Sequence, residues 1–250
     1  MRYFIEIAYK GTNYHGWQLQ PNAITIQELI NKVLTTILRC DINVVGAGRT
    51  DSGVHAQQLF AHFDYDASID SNEFLYKMNS LLPIDIAVLN IFKVFDDAHA
   101  RFDALSRSYE YRIYFGKNPF LTDTTWQLIN KKLNVELMNK AAEILLTFAN
   151  FKCFSRSNTD VKTYNCDVTN AVWVRKGNDL VFHISADRFL RNMVRAVVGT
   201  LIDVGVGKIT IEDFIKIIES KDRKNAGPSA PARGLFLTEV KYPKKVFINE

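Results

Sequence analysis

The stretch Gly46-Ala47-Gly48-Arg49-Thr50-Asp51-Ser52-Gly53-Val54-His55-Ala56 gathers a carboxylate, a guanidinium, an imidazole and two hydroxyls within one glycine-studded connection. Asp-Ser-Gly is common turn chemistry, with the Asp side chain bonding its own backbone, and a plain turn would account for Asp51 by itself. It does not account for Arg49 and His55 crowding the same loop. The other reading is chemical. A carboxylate can act as a nucleophile that divides one difficult step into easier ones. An Asp of ordinary pKa, about 3.9, is already ionised at neutral pH. Burial against a substrate would raise that pKa, and a neighbouring guanidinium would oppose the rise.

A second set of candidates is basic. Arg188, Arg191 and Arg195 stand at i, i+3 and i+7, so all three fall on one face of the helix predicted over Phe189 to Asp203, with Arg188 just ahead of its first residue. Phe189, Met193, Val197 and Leu201 form another face, which would anchor that helix in a core. The arginines are then either a solvated charged face or a set of phosphate contacts. Lys221, Arg223, Lys224 and Arg233 lie in or beside the Gly/Pro-rich run Arg223 to Ala232 and could extend the basic surface. For Lys221 and Arg223 the plainer reading is an exposed loop.

The five histidines, His15, His55, His62, His99 and His183, form no H-E-x-x-H arrangement and have no C-x-x-C beside them. No metal site is expected, and the H-x-E and P-C-x-x-C signature of zinc deaminases is missing. His55 and His99 read as hydrogen-bonding scaffold. Gly205-Val206-Gly207 is too short for a phosphate-cradling loop, so no nucleotide cofactor is expected.

These groups need elements to position them. Tyr3, Ile5, Ile7 and Tyr9 alternate with Phe4, Glu6, Ala8 and Lys10, which predicts a first strand. An aromatic, Gly-containing loop from Gly11 to Gln18 follows. Thr25-x-x-Glu28 is a capping box ahead of Ile26, Leu29, Ile30, Val33, Leu34, Ile37 and Leu38 at helical spacing. Strands are predicted at Gln58 to Tyr65 and Ala87 to Phe95, with a helix between them that stops before Pro83. Near Arg107 the pattern begins again: Ser108 to Gly116 is another aromatic strand ending in glycine, and a helix follows around Val135 to Phe148. A hairpin comes next, Ala171 to Lys176 and Leu180 to Ser185, turning at Gly177-Asn178-Asp179. After the helix carrying Arg195, a further one over Ile211 to Glu219 starts at the cap Thr210-x-x-Asp213, and a strand runs from Gly234 to Lys241. Interleaved strands and helices with hairpins favour an α+β fold of two halves, 1–105 and 106–250, over a parallel doubly wound one.

Composition narrows the class. The 250 residues are 47% hydrophobic and 23% charged with a formal net charge of +4, ordinary for a folded globular chain and compatible with a polyanionic partner. Cys40, Cys153 and Cys166 are far apart and odd in number, which points to reduced, mostly buried thiols. Met1 to Glu6 places a charge inside its first apolar stretch, unlike a signal peptide. No uninterrupted apolar run approaches the roughly 20 residues that span a bilayer. A soluble, cytoplasmic protein without membrane partners is expected.

Gly48-Arg49-Thr50-Asp51-Ser52-Gly53-Val54-His55-Ala56 closely resembles the catalytic motif of the TruA family of tRNA pseudouridine synthases. Tyr9 to Gln18 is similar to the family's N-terminal motif. Asn79 to Ile86 and His99 to Phe102 resemble the segments after the catalytic loop, Ser106 to Tyr111 the segment with the active-site tyrosine, and Phe189 to Arg195 the helix with the basic partner. Ser52 departs from the more usual Ala and removes no proposed group. The resemblance implies Asp51 as nucleophile, Arg195 as its ion-pair partner and Tyr109 stacked on the uracil. It implies Arg49 filling the space of a flipped-out base. It also implies a pseudouridine synthase fold, in which two RRM-like halves share a central, mainly antiparallel sheet and a basic cleft. The implied substrates are uridines on the 3′ side of the tRNA anticodon stem-loop, bound by a homodimer. Because the isomerisation involves no redox change or energy source, no cofactor is implied. The alternative is a non-catalytic RNA-binding module with paired RRM-like halves, although RNP-type aromatic signatures are missing.

Overall fold

The first strand, β1 (Arg2–Tyr9), leads through a 3₁₀ turn to α1 (Ile26–Leu38), β2 (Val45–Gly46), β3 (His55–Asp64), α2 (Ser71–Leu81) and β4 (Ile86–Val94). The computed structural model describes residues 1–156 and 161–248. Two compact units divide the chain: Met1–Leu105 with Leu237–Glu250, and Ser106–Phe236.

In the first unit β1 runs antiparallel to both β3 and β4, and β2 pairs with β3. The resulting order, β4-β1-β3-β2, is the split β-α-β arrangement of ferredoxin-like and RRM domains. Helix α1 begins where the capping box predicts. Thr25 Oγ1 accepts from the Glu28 N–H, and Glu28 Oε2 accepts from the Thr25 N–H. Its buried stripe is Ile26, Ile30, Val33 and Leu34. Asp70 caps α2, and Leu82, held extended ahead of Pro83, ends it.

Tyr3, Ile5, Ile7 and Tyr9 are buried, as alternation predicts. Phe4 is buried too, on the opposite face. Tyr242 and Phe247 of the C-terminal segment meet its ring edge-on at 5.4 Å and 6.1 Å between centroids. Both faces of this sheet are therefore covered.

The second unit contains β5 (Ser106–Phe115), β6 (Trp126–Leu128), α3 (Val135–Ile144), β7 (Val168–Lys176), β8 (Asp179–Ala186), α4 (Met193–Gly205) and α5 (Ile211–Ser220). Strand β8 runs antiparallel to β5 and β7, and β6 lies parallel to β5. The order β5-β8-β7 repeats the order β1-β3-β2 of the first unit, which accords with two RRM-like halves. The β7–β8 hairpin turns through Gly177-Asn178, with Gly177 at φ 60°. That positive φ suits a two-residue turn matched to strand twist. Thr210 and Asp213 make the second capping box, at α5. The last strand, β9 (Leu235–Lys241), begins in the second unit at Leu235 and Phe236 and continues in the first. The whole is an α+β fold with a mainly antiparallel sheet.

One helix starts later than its apolar spacing predicts. Asn192 adopts the left-handed conformation at φ 65°, so α4 begins at Met193 and not at Phe189. Met193, Val194 and every residue from Ala196 to Ile202 are buried, so α4 is covered almost all round. Arg195 is the half-buried exception in its first turn.

Cys153 and Cys166 are buried, and burial pushes each thiol up to about 12, whereas Cys40 is exposed. Among the described residues no helix is long and apolar enough to cross a membrane.

Candidate active site

The loop that carries Asp51 is clamped from beneath by the aromatic loop after β1. Trp17 N–H donates to the Thr50 carbonyl at 3.2 Å. Gly53 N–H and Ser52 Oγ both donate to the Tyr14 carbonyl, at 3.3 Å and 3.2 Å. Within the loop, Val54 N–H donates to the Asp51 carbonyl at 3.1 Å and closes a turn. The two loops approach too closely for side chains at two positions. A Cβ on Gly11 would stand 2.0 Å from the Val54 carbonyl oxygen, and one on Gly16 would stand 2.4 Å from that of Thr50. These contacts explain the glycines of Tyr9 to Gln18: they let one backbone lie directly on another.

Side chains finish the clamp. Tyr9 Oη and Thr50 Oγ1 are 2.8 Å apart in a buried hydrogen bond, and the Tyr9 ring stacks on Trp17. His55 Nδ1 accepts from the Gly11 N–H at 3.0 Å, which is the scaffold role its sequence context predicts. The strand β3 begins at His55 itself, so His55 and Ala56 are already part of the sheet. Tyr14 donates its hydroxyl to Asp85, and Asn13 Nδ2 donates to the same carboxylate at 3.1 Å. Burial, reinforced by Asp85, holds the Tyr14 pKa well above the usual phenol range. Tyr14 is thus a neutral donor fixing the loop. Above this base Asp51 is half-buried and Arg49 is exposed.

His99 serves a second turn of the same unit. Its Nδ1 accepts from the Arg101 and Phe102 N–H groups at 3.1 Å and 3.4 Å. His62 Nδ1 accepts from the Ala100 N–H at 3.1 Å, and its ring meets His99 at 4.6 Å. Burial lowers the pKa of both, that of His62 to about 4, so both are neutral acceptors at neutral pH.

In the second unit Tyr109 lies on β5 opposite Ile184 of β8. Its ring meets Phe189 edge-on, with centroids 5.1 Å apart. Arg195 directs Nε to the Ala230 carbonyl at 2.7 Å, and the Ala230 N–H returns to the Arg195 carbonyl at 2.9 Å. Tyr111, next but one to Tyr109, is fully buried and donates to the Pro231 carbonyl at 2.8 Å. Burial raises its pKa, and the positive charges of Arg195 and Arg233 oppose that rise.

Arg188 and Arg191 do not share a helical face with Arg195. They occupy the connection between β8 and α4, because the left-handed Asn192 breaks the helical phase. Arg191 is exposed, and its carbonyl accepts from the Arg156 N–H at 3.0 Å. Asp51 and Arg49 thus stand in one loop of the first unit, while Tyr109, Arg188, Arg191 and Arg195 stand in the second. In the sequence the run from Arg223 to Gly234 reads only as a possible extension of the basic surface. Its glycines and prolines are visible, but nothing in their order tells that it docks on α4.

A family model described as tRNA pseudouridine synthase matches residues 141–243. A protein of Bacteroides fragilis called tRNA pseudouridine synthase A is 51% identical over 248 residues, covering 98% of each chain. One of the same name from Bacteroides thetaiotaomicron is 50% identical, covering 100% of this chain and 93% of the relative. A more distant one, from Acetivibrio thermocellus, is 41% identical over 94% of this chain and 97% of the relative. With identity this high across practically the whole of each chain, the protein belongs to the tRNA pseudouridine synthase A family.

Proposed function

We propose that the chain isomerises uridine to pseudouridine in tRNA, with Asp51 as the nucleophile. The observation that carries this reading is the clamp beneath Asp51: Gly11 and Gly16 admit no side chain, so the carboxylate stands on an immobilised backbone. Such preorganisation lowers the cost of bringing a reacting group to its target. The glycosidic bond of uridine breaks, the base turns, and a ring carbon takes the place of the nitrogen at the sugar. No electrons are gained or lost, so the reaction is balanced without a redox partner.

Arg195 is the basic partner in this reading. A guanidinium keeps its charge at any working pH and can orient a carboxylate through two bonds. Tyr109 stacks on the uracil, and its hydroxyl assists proton transfer at the base carbon. Extruding a stacked nucleotide costs a few kcal/mol, and Arg49 offsets part of that by filling the vacated space. Arg188 and Arg191 bind phosphates. The substrates are uridines on the 3′ side of the anticodon stem-loop. The enzyme acts in the cytoplasm as a homodimer whose subunits both touch tRNA.

The test is incubation of the protein with an unmodified tRNA transcript, followed by chemical labelling to map pseudouridine. Wild-type protein is expected to modify the anticodon stem-loop. Asp51→Asn is expected to bind the transcript and yield no product. Substantial turnover by Asp51→Asn would remove the nucleophile assignment.

A further inference from the structure

Residues 223–234 lie over the first three turns of α4, and polar contacts tie this strap down along its length. Arg223 Nη1 donates to the Ala226 and Gly227 carbonyls at 3.3 Å and 3.0 Å, and its Nη2 donates to Ser229 Oγ at 3.1 Å. Ser229 Oγ also accepts from Asn192 Nδ2, at 2.7 Å. The Gly227 N–H donates to Thr200 Oγ1 at 3.0 Å, and that hydroxyl donates to the Ala196 carbonyl at 2.8 Å. A Cβ on Gly199 would stand 1.7 Å from the Pro228 carbonyl oxygen, so the strap touches the helix backbone itself. It ends on the Tyr111 hydroxyl, through the Pro231 carbonyl.

Among the groups these contacts hold is the Ala230 carbonyl, which accepts from Arg195 Nε at 2.7 Å. A guanidinium has five donors in a rigid plane. Holding Nε restricts that plane, and with it the directions in which the terminal nitrogens can point. Arg223 is one residue from the exposed Lys224, yet its own guanidinium is turned inward to the strap.

We propose that Arg223 and Ser229 are positioning residues for the Arg195 guanidinium, acting through the strap. The inference rests on the reading of Arg195 as the basic partner of Asp51. It separates Arg223 from the basic surface that binds RNA.

The test uses the full chain and an unmodified tRNA transcript. Saturated turnover, affinity, its salt dependence and the thermal midpoint are measured for Arg223→Gln, Ser229→Ala, Ser229→Thr, Arg195→Gln and the double variant Arg223→Gln/Arg195→Gln. Arg223→Gln and Ser229→Ala are expected to lower saturated turnover by about 10- to 100-fold, the scale of a small misplacement, with affinity and salt slope unchanged. Ser229→Thr keeps the hydroxyl and is expected to restore most of the turnover. The double variant is expected to be no slower than Arg195→Gln, because Arg223 acts only through Arg195.

A salt slope smaller by about 0.7 to 0.9 in Arg223→Gln would make Arg223 a phosphate contact and overturn the inference. So would wild-type turnover in Arg223→Gln and Ser229→Ala, or an additive loss in the double variant, while Arg195→Gln is crippled. Normal turnover by Arg195→Gln would instead overturn the underlying reading, and this inference with it. If Arg223→Gln does not fold, the contrast between Ser229→Ala and Ser229→Thr carries the same test.

Discussion

Gly16 and Thr50 are packed so closely that a Cβ on Gly16 would stand 2.4 Å from the Thr50 carbonyl oxygen, one residue before Asp51. Gly16 also sits at φ 87°, a region that side chains disfavour. Gly16→Ala therefore meets backbone on one side and strain on the other, and neither can be relieved by rotating a side chain. It is expected to destabilise the protein by about 1 to 3 kcal/mol and to displace the Asp51 loop. Denaturant unfolding and saturated turnover check this together. Wild-type turnover in Gly16→Ala would show that the clamp does not hold Asp51 in place.

The Tyr9–Thr50 hydrogen bond is buried, so Tyr9→Phe takes a buried partner away from the Thr50 hydroxyl. Tyr9→Phe is expected to cost about 1 to 3 kcal/mol, the usual penalty for a buried polar group left unsatisfied. Thr50→Val removes the opposite partner. The double variant is expected to be less destabilised than the sum of the two, as for any pair in direct contact. Thermal unfolding of the four proteins measures the coupling, and strict additivity would deny that the two hydroxyls depend on one another.

Acid sensitivity follows from His62. Burial lowers its pKa from 6.5 to about 4, with the charges of Arg2 and His99 acting in the same direction and Asp64 and Asp103 opposing. The depressed value favours the neutral form in the folded state. Above pH 6.5 neither state binds the proton and stability is unaffected. As pH falls from about 6.5 to about 4 the unfolded chain takes up the proton and the folded one does not, so stability falls. His62→Asn can offer an acceptor to the Ala100 N–H without titrating. It is expected to flatten the dependence across that window, with the lesser contribution of His99 remaining. Urea unfolding at stepped pH decides it; an unchanged slope would relieve His62 of the role.

Much of this architecture is legible in the sequence because it is local. The capping boxes at Thr25 and Thr210, the stop before Pro83 and the turn at Gly177 each depend on a few neighbouring residues, and the structure bears them out. What escapes is long-range or conformational. Nothing near Phe4 tells that Tyr242 and Phe247 will cover it, because that burial depends on a segment more than two hundred residues away. The start of α4 misleads because Phe189 and Met193 keep helical spacing, whereas a single left-handed Asn192 resets the phase. In the candidate site, the motif around Asp51 draws attention by its chemistry and Arg195 by the resemblance of Phe189 to Arg195. The strap over α4 leaves no such signature, since its contacts from Asn192 to Ser229 and from Gly227 to Thr200 join residues far apart in the chain.

The late start of α4 also bears on RNA binding. Arg188 and Arg191 precede the helix, and Arg195 alone belongs to it, with its Nε held by the Ala230 carbonyl. An arginine anchored in this way is poorly suited to follow a mobile phosphate, whereas exposed Arg191 is well suited. Removing one cation from a phosphate reduces the salt dependence of log K by about 0.7 to 0.9 per decade of salt. Arg188→Gln and Arg191→Gln are each expected to flatten that dependence and leave saturated turnover largely intact. Arg195→Gln is expected to cripple saturated turnover with a smaller change in slope. Binding titrations at several salt concentrations, paired with turnover at saturating tRNA, separate the two behaviours. If all three variants changed affinity alone, Arg195 would be a phosphate ligand and Asp51 would need a different partner.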